Sequence, residues 1–283
     1  MIPIRFDKRQ VLNRSINGSP SPMKPAKVMK AWLDEFGDKL DVRSFHPLNK
    51  EFFYYVHDRD HVDAIFAGKK NNGFETRDLD VVETLRWTNG SFKRAVMEAY
   101  YEKLPVSVSP TSGFHHAGVK TATGYCTFNG LMLAAKTLLA TEPNPKIGIL
   151  DCDEHYGNGT DEIIWYMDLE RSIHHYTYGG DKTANGFDSF IDKLPSILET
   201  FKDVEIIFYQ AGADPHENDP YLLEGPALTT QQLYLRDQMV FRFAKENGIP
   251  IVWNLAGGYQ EPLEKVLEVH SNTMRACIEV FGG

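Results

Sequence analysis

Two aspartates and a histidine occupy alternate positions where a short apolar run ends. The run 146–153 leads into Asp151, Asp153 and His155. In an extended segment these positions point to one side, and such groups on one side of a buried strand are costly unless a partner neutralises them. A divalent cation does so, because Asp and His are ligands in zinc and iron sites with three protein ligands plus water. The alternative, that Asp153 and His155 only cap the following turn, explains this strand end equally well.

A further carboxylate follows the next apolar run. Asp214 stands in the segment GADPHENDP, directly after the run 204–211. Alone it is an ordinary candidate for a helix cap. Taken with Asp153 and His155, it completes a set of two carboxylates and one imidazole.

Tandem histidines and a tyrosine supply the remaining chemistry. His115 and His116 are adjacent, and two imidazoles near a metal-bound water provide a general base and a general acid close to neutral pH. Tyr259 follows paired glycines in the segment 256–259, where a phenol donates to a developing oxyanion. A loop pair of histidines and a core tyrosine after a tight turn are the alternatives for each motif by itself.

Two further pairs of histidines stand outside this set. His57 and His61 have the i, i+4 spacing of metal ligands on a helix, but that helix is amphipathic and no Glu directly follows His57. His174 and His175 form a second adjacent pair, and at least His175 is assigned no function.

Three apolar runs predict buried parallel strands. They span 146–153, 204–211 and 249–255, and helices are predicted between them at 188–200 and 229–246. Strands that alternate with helices indicate βαβ units and a parallel sheet. Since functional residues collect beyond the carboxyl ends of such strands, we expect the polar segments after the three runs to meet.

The remaining predicted elements are mainly helical. Amphipathic periodicity predicts helices at 27–36, 57–66 and 90–101. The segment 122–139 is interpreted as one long buried helix or a bent pair, and the Gly/Ser/Pro-rich segment 17–25 as a surface loop. The fold class is therefore α/β, with three α/β/α layers around a mostly parallel sheet.

Together the motifs resemble the histone deacetylase superfamily, which includes acetylpolyamine amidohydrolases and bacterial deacetylase-like amidohydrolases. The resemblance implies an arginase/deacetylase-like fold and a single catalytic domain over 1–283. The matching segments occur in the order of the family: GFHHAGVKTATGYCTFNGLMLAA (113–135), ILDCDEHYGNGTDEIIW (149–165), SIHHY (172–176), YQAGADPHENDP (209–220) and NLAGGYQ (254–260).

The resemblance implies a role for each chemical residue. His116 matches the general base and then acid, His115 matches its more buried neighbour, which the carboxylate of Asp151 partners, and Tyr259 matches the tyrosine that polarises the scissile carbonyl. Zinc, with ferrous iron as the alternative, is the implied metal. Its implied ligands are Asp153, His155 and Asp214.

Two further sites are implied in the same way. Gly124 and Tyr125 match the wall of the acyl-lysine tunnel, and Tyr221 stands at its rim. A structural monovalent cation, usually potassium, is implied at Asp151. Its other implied ligands are the backbone carbonyls of Asp153 and His155, together with Ser172.

Several positions depart from the family pattern. Tyr156 replaces a second His, and Asn158 stands where some members have an Asp that pairs with the second tandem histidine. Gly130 replaces an Asn, and Tyr221 stands where a smaller apolar residue is common. The favoured hypothesis is a metal-dependent deacylase of N-acylated amines, either acyl-lysine in a protein or an acetylpolyamine. The alternatives are a binding protein with little turnover and, ranked lower, an arginase-type ureohydrolase, for which a D-A-H-x-D arrangement is missing.

Charge and composition limit the partners. The 283 residues are 42% hydrophobic and carry a formal net charge of −9, divided as +3 over 1–110 and −12 over 111–283. The acidic part argues against a nucleic-acid partner and is compatible with a cationic one. Without an apolar run of membrane-spanning length or a recognisable signal peptide, a cytoplasmic protein is expected. Oligomeric state stays open.

Overall fold

Seven parallel strands form one sheet at the centre of the molecule. The computed structural model describes residues 1–181, 189–222 and 227–282. Every adjacent pair of strands is parallel, in the order β2-β1-β3-β7-β6-β4-β5. The strands are β1 (Ile2–Arg5), β2 (Leu40–Arg43), β3 (Val106–Ser109), β4 (Ile147–Asp151), β5 (Ile173–Thr177), β6 (Ile206–Gly212) and β7 (Ile251–Ala256).

Helices cover both faces of the sheet. Alternate side chains of each strand point to opposite faces, so the core is divided in two. One half packs under α1, α6, α7 and α8, and the other under α2 to α5. The helices are α1 (Lys24–Phe36), α2 (Arg59–Phe66), α3 (Leu79–Tyr101), α4 (Gly130–Thr141), α5 (Asn158–Tyr166), α6 (Ser189–Glu199), α7 (Thr230–Glu246) and α8 (Glu264–Phe281).

The α/β class and the three layers are confirmed. The sheet is wholly parallel, and the three predicted strands are β4, β6 and β7, each shifted by one or two residues at its ends. Strands β1, β2, β3 and β5 were not predicted. The first three have only four residues each, which is too short for a periodic signal to stand out.

The prediction of a helix over 122–139 was wrong in its first half. Helix α4 begins at Gly130, where the Asn129 side chain accepts a hydrogen bond from the Met132 amide at 3.1 Å. Before it, the backbone turns through positive φ at Gly124 (54°) and Tyr125 (61°), which a helix does not permit. This loop, 122–129, contributes residues to the site described below.

The other helix predictions differ at their starts. Helix α3 begins at Leu79, well before the predicted 90, and the Asp78 side chain caps it. Helix α2 begins after its cap Asp58, and α7 after its cap Thr229. Position 188 of the predicted helix 188–200 lies outside the described residues. Within the described ranges, no helix is long and apolar enough to cross a membrane.

Candidate active site

The carboxyl ends of the central strands bring the predicted polar segments together. In the register of the sheet, Asp151 of β4 lies beside Gln210 of β6, and Gly212 of β6 lies beside Ala256 of β7. The loops after β3, β4, β6 and β7 therefore meet at one edge of the sheet. The expectation drawn from the three strand ends is confirmed.

Asp153, His155 and Asp214 form a compact group of ligand atoms. The Nδ1 atom of His155 lies 3.2 Å from Oδ1 of Asp153 and 3.1 Å from Oδ2 of Asp214. One ligand atom from each residue lies within 4.8 Å of the others. Across residues 1–181, 189–222 and 227–282, this is the one group of three or more His, Cys, Asp and Glu side chains with that geometry.

The electrostatics of this group favour a cation between the side chains. Burial and the nearby charge of Asp153 raise the pKa of Asp214 to about 7. Burial also opposes ionisation of Asp153, but His115 and His155 hold the pKa of that carboxyl well below its usual range. Burial disfavours a charged His155, yet its bonds to the two carboxylates raise its pKa to about 11. The protonated ring of His155 thus lies against the buried carboxyl groups of Asp153 and Asp214. A divalent cation bound by all three side chains would take the place of that proton.

The donor set fits a catalytic zinc or ferrous ion. Two carboxylates and one imidazole are ligands that both ions accept. Asp153 and Asp214 are almost fully buried, whereas His155 is partly exposed, so the group opens towards solvent on the side of His155.

The tandem histidines differ in the partners of their Nδ1 atoms. His115 Nδ1 lies 2.7 Å from Oδ2 of Asp151, and His116 Nδ1 lies 2.6 Å from Oδ1 of Asn158. The two rings are 4.1 Å apart between centroids. Because each Nδ1 faces an acceptor, it carries the proton, and the Nε2 of a neutral His116 is left with a free lone pair.

These partners give the two imidazoles opposite tendencies. Burial disfavours a charged His115, but Asp151 and Asp153 outweigh it and raise the pKa of His115 to about 9. Burial, reinforced by the neighbouring His115, lowers the pKa of His116 to about 4. Near neutral pH, His115 is thus cationic and His116 is neutral and free to accept a proton.

Tyr259 lies on a backbone loop that is fixed from two sides. Its amide donates to Oδ2 of Asp219 at 2.8 Å, and the ammonium of Lys24 donates to the carbonyl of Gly257. Gly257 has a φ of 46°, and a side chain there would collide with the Asp214 carboxylate. Burial and nearby carboxylates hold the pKa of Tyr259 well above its usual value, so the phenol keeps its proton for donation.

Three tyrosines surround the approach to the group. The ring of Tyr259 lies 5.7 Å from that of Tyr125 and 4.8 Å from that of Tyr221. Burial, together with the nearby Tyr221 hydroxyl, raises the pKa of Tyr125 to about 12. Gly124 packs against the ring of His116 so closely that a side chain would collide with it. The residues predicted to line a tunnel therefore lie at one opening.

Ser172 is not brought to the predicted monovalent-cation site. It precedes β5, and its carbonyl accepts from the amide of Ile147 at the start of β4, at 2.9 Å. Asp151 stands at the far end of β4, where the register pairs it with Thr177. The prediction that Ser172 and Asp151 meet was wrong, because five residues of parallel strand separate them.

The other two histidine pairs have partners outside the group of Asp153, His155 and Asp214. His57 is buried, accepts from the Asn129 amide at 3.0 Å and bonds the carbonyl of Gly118 at 2.8 Å, so both ring nitrogens have backbone partners. His61 pairs with Lys70, and His174 with Thr200. His175 bonds Asp161 at 2.6 Å.

Sequence reasoning missed three side chains that hold the site. Gln210 donates to Asp151 at 2.8 Å, Asp219 holds Tyr259, and Lys24 is fully buried beside Gly257. The position of Asp219 within the segment GADPHENDP was an available signal. Lys24 lies in the segment 17–25 that was predicted to be a surface loop, and its type and neighbours indicate exposure rather than burial.

A comparison with known protein families decides the classification. A profile described as "Histone deacetylase domain" matches residues 20–180 and 173–275. The chain belongs to the histone deacetylase family. Histone deacetylase 2 of Arabidopsis thaliana is 27% identical over an alignment of 175 residues, which covers 55% of this chain and 44% of that protein. The chain thus spans less than half the length of that family member.

Two solved structures share the fold of this deacetylase family member. The HD domain of HDA15 has a TM-score of 0.80 at 18% identity, over 98% of this chain and 89% of that one. An acetylpolyamine aminohydrolase from Burkholderia pseudomallei has a TM-score of 0.76 at 16% identity, over 99% of both chains. At these identities the likeness concerns the fold, and it agrees with the wholly parallel sheet.

Proposed function

We propose that this deacetylase-family chain hydrolyses the amide bond of an N-acylated amine, using a divalent metal ion held by Asp153, His155 and Asp214. The observation that carries the proposal is the meeting of these three ligands, within 4.8 Å of one another, with His115 and His116. The centroid of the His116 ring lies 5.9 Å from that of His155. When bound, a divalent ion polarises the amide carbonyl and lowers the pKa of a water molecule.

His116 is the proposed base. Its Nε2 carries a lone pair because Asn158 accepts from its Nδ1, and its low pKa keeps the ring neutral before reaction. It takes a proton as water attacks the carbonyl carbon and then delivers a proton to the leaving amine nitrogen. His115, held by Asp151, is the proposed neighbour whose positive charge opposes protonation of His116 and orients the pair.

Tyr259 is the proposed oxyanion donor. Its hydroxyl keeps its proton at working pH, and Lys24 and Asp219 fix the loop that carries it. A donor held in place in this way needs no reorganisation when negative charge develops on the carbonyl oxygen. The chain therefore supplies a residue that acts as base and then as acid from the loop after β3, and an oxyanion donor from the loop after β7.

The proposed substrate is an acyl-lysine side chain or an acetylated polyamine. Gly124, Tyr125 and Tyr221 surround the opening, and an aromatic wall suits the alkyl chain of such an amine. The formal charge of −12 over 111–283 favours a cationic substrate. Zinc is the proposed ion, with ferrous iron as the alternative, and a structural potassium ion at Asp151 stays part of the proposal without Ser172.

A second candidate is a member that binds metal and acyl ligands with little turnover. Asn158 favours it, because an amide stabilises a protonated His116 less than a carboxylate would. The rings of Tyr125 and Tyr221 favour it as well, because bulky side chains on both sides of Tyr259 narrow the room for a substrate. The two candidates share the metal site and differ in catalysis.

One experiment separates the candidates. Zinc-loaded wild type, Asp214→Asn and the control Asp203→Asn, an exposed carboxylate, are assayed for release of carboxylate from acetyl-lysine peptides, acetylpolyamines and longer acyl analogues. Metal content is measured in parallel. The proposal predicts hydrolysis and bound metal in wild type and Asp203→Asn, and loss of both in Asp214→Asn. Bound metal with no turnover on the whole panel favours the binding protein, and full activity in Asp214→Asn contradicts the site.

A further inference from the structure

A fully buried arginine lies behind the metal-ligand loops. Arg236 of α7 has no exposed surface, and its Nη1 donates to the carbonyl of Gly212 at 2.8 Å and to that of Cys152 at 3.3 Å. Cys152 directly precedes Asp153, and Gly212 stands two residues before Asp214. One nitrogen of one side chain thus contacts the backbone next to both carboxylate ligands.

These carbonyls lie where two strands end side by side. Asp151 and Gln210 are the last pair in the register of β4 and β6, and the Cys152 amide still donates to the Gln210 carbonyl at 3.1 Å. After this point β6 continues beside β7, while the chain after β4 turns towards Asp153. Gly212 packs against Cys152 and Asp153 with no room for a side chain. A shared donor at this point fixes the distance between the two backbones.

The guanidinium itself is fixed by a buried carboxylate. Its Nε and Nη2 atoms each lie 2.9 Å from Oδ1 of Asp237. Asp237 also accepts from the Thr273 hydroxyl at 2.6 Å and from the Tyr209 hydroxyl. The planar fork of an arginine can bond the carboxylate on one edge and the two carbonyls on another, which the single nitrogen of a lysine cannot do.

We propose that Arg236 is a positioning residue that sets the spacing of Asp153 and Asp214 and thereby the metal affinity of the site. It does not touch the substrate and acts through the backbone of Cys152 and Gly212. This role rests on the metal site of the proposed function. Loss of a group that orients metal ligands in this indirect way typically weakens metal binding by about 10- to 100-fold.

The test compares two buried arginines. Arg236→Lys removes the fork, and the control Arg5→Lys makes the same change at a buried arginine that pairs with Glu98. Three quantities are measured for each variant. They are the dissociation constant for Zn²⁺, obtained by competition with a chelator, the visible spectrum of the Co²⁺-loaded protein, and the thermal midpoint of the metal-free protein. Arg236→Lys should bind zinc about 10- to 100-fold more weakly and change the Co²⁺ spectrum. Arg5→Lys should lower the thermal midpoint and leave both metal readouts as in wild type.

A second variant keeps the test decisive if Arg236→Lys does not fold. Asp237→Asn retains Arg236 and weakens its anchor, so it should change the Co²⁺ spectrum in the same direction, to a smaller extent. Wild-type affinity and spectrum in the folded Arg236 or Asp237 variant would overturn the role of Arg236, as would equal metal effects in Arg5→Lys. If wild type binds metal and the variants bind it equally well, only the role of Arg236 is refuted. If wild type binds no metal, the proposed function is refuted together with that role.

Discussion

At the scale of residues, two adjacent imidazoles acquire different charges from their partners. Asp151 makes His115 a cation, and Asn158, an amide, bonds His116 without adding charge. The positive His115 and burial together lower the pKa of His116 to about 4. The proposed base, His116, is thus ready to accept a proton over a wide range of pH. Replacing Asn158 tests this proposal.

Asn158→Asp should move the acidic limb of activity to higher pH. A carboxylate at hydrogen-bond distance favours the charged imidazole and raises the pKa of His116 by about 1–3 units. The base is then lost to protonation at a higher pH than in wild type. The measurement is the pH profile of kcat/KM for the zinc-loaded enzyme. An unchanged acidic limb would contradict the assignment of His116 as the base.

Tyr259→Phe should lower kcat by about 100- to 1000-fold, because one oxyanion donor is lost. Zinc affinity should stay at the wild-type value, since the hydroxyl is not among the three grouped ligand atoms. Steady-state kinetics and chelator competition measure the two quantities. Tyr166→Phe, at an exposed tyrosine, is the control. A kcat close to wild type in Tyr259→Phe would remove the phenol from the mechanism.

The sequence indicates some of these residues and conceals others. Asp153, His155 and Asp214 stand directly after apolar runs, so the parallel topology alone predicts that they meet. Lys24 and Arg236 have no such signal, because lysine and arginine are rarely buried completely. Their burial depends on carbonyl groups of Gly257, Cys152 and Gly212 that only the folded backbone brings together. Sequence reasoning therefore finds the side chains of the site itself more readily than the buried side chains that hold the backbone around it.

At the scale of elements, the loop 122–129 lines the opening with Gly124 and Tyr125 and leads directly into helix α4. Its positive φ at Gly124 and Tyr125 turns the backbone under the His116 ring. The apolar residues of this loop continue the apolar sequence of α4. The predicted helix was therefore extended through the loop. The backbone conformation that breaks the pattern is set by contacts with His116 and by the hydrogen bond from the Tyr125 amide to Gly73, at 2.9 Å.

Gly124→Ala should reduce both stability and activity. A left-handed conformation costs an alanine about 1–2 kcal/mol, and the new methyl group would displace the His116 ring. Since a displacement of about 1 Å can cost 100-fold in rate, kcat/KM should fall by about that factor. Gly248→Ala is the control, because Gly248 has a φ of 65° and no described heavy atom lies within 4 Å of an added methyl. Equal losses of kcat/KM in the two variants would show that the contact with His116 is unimportant.

His57 should make stability depend on pH through the junction of α2 and α4. Burial lowers the pKa of His57 to about 3, and its Nε2 must stay unprotonated to accept from Asn129. Because the folded pKa lies below the unfolded value of about 6.5, the contribution is full above pH 6.5 and is lost as pH falls towards 3.

Urea unfolding at pH 6.5 and pH 5 measures this effect. The slope approaches about 1.4 kcal/mol per pH unit below pH 6.5, so wild type should lose about 1.6 kcal/mol more than His57→Gln over this interval. His46→Gln, at an exposed histidine, is the control. An identical loss in wild type and His57→Gln would contradict the assigned role of His57.

At the scale of the whole molecule, the parallel sheet collects loops that are distant in sequence. The loop after β3 carries His115 and His116, and the loop after β4 carries Asp153 and His155. The loop after β6 carries Asp214, and the loop after β7 carries Tyr259. Four of the seven strands escaped prediction, because β1, β2, β3 and β5 lack long apolar runs. The site was nevertheless predictable, because β4, β6 and β7 lie in one half of the sheet and end in polar segments. The hydrophobic pattern of the sequence did not indicate that the first 110 residues add β1, β2 and β3 to that sheet.

The central claim is that this fold holds a metal ion which is required for hydrolysis of an acylated amine. Its most direct test is a titration of the metal-free chain with zinc, with release of acetate from an acetyl-lysine peptide and from an acetylpolyamine followed at each step. We predict that acetate release from at least one substrate rises in proportion to zinc and reaches a plateau at one ion per chain. Hydrolysis that does not depend on added metal, or no acetate release at full occupancy, would contradict the account.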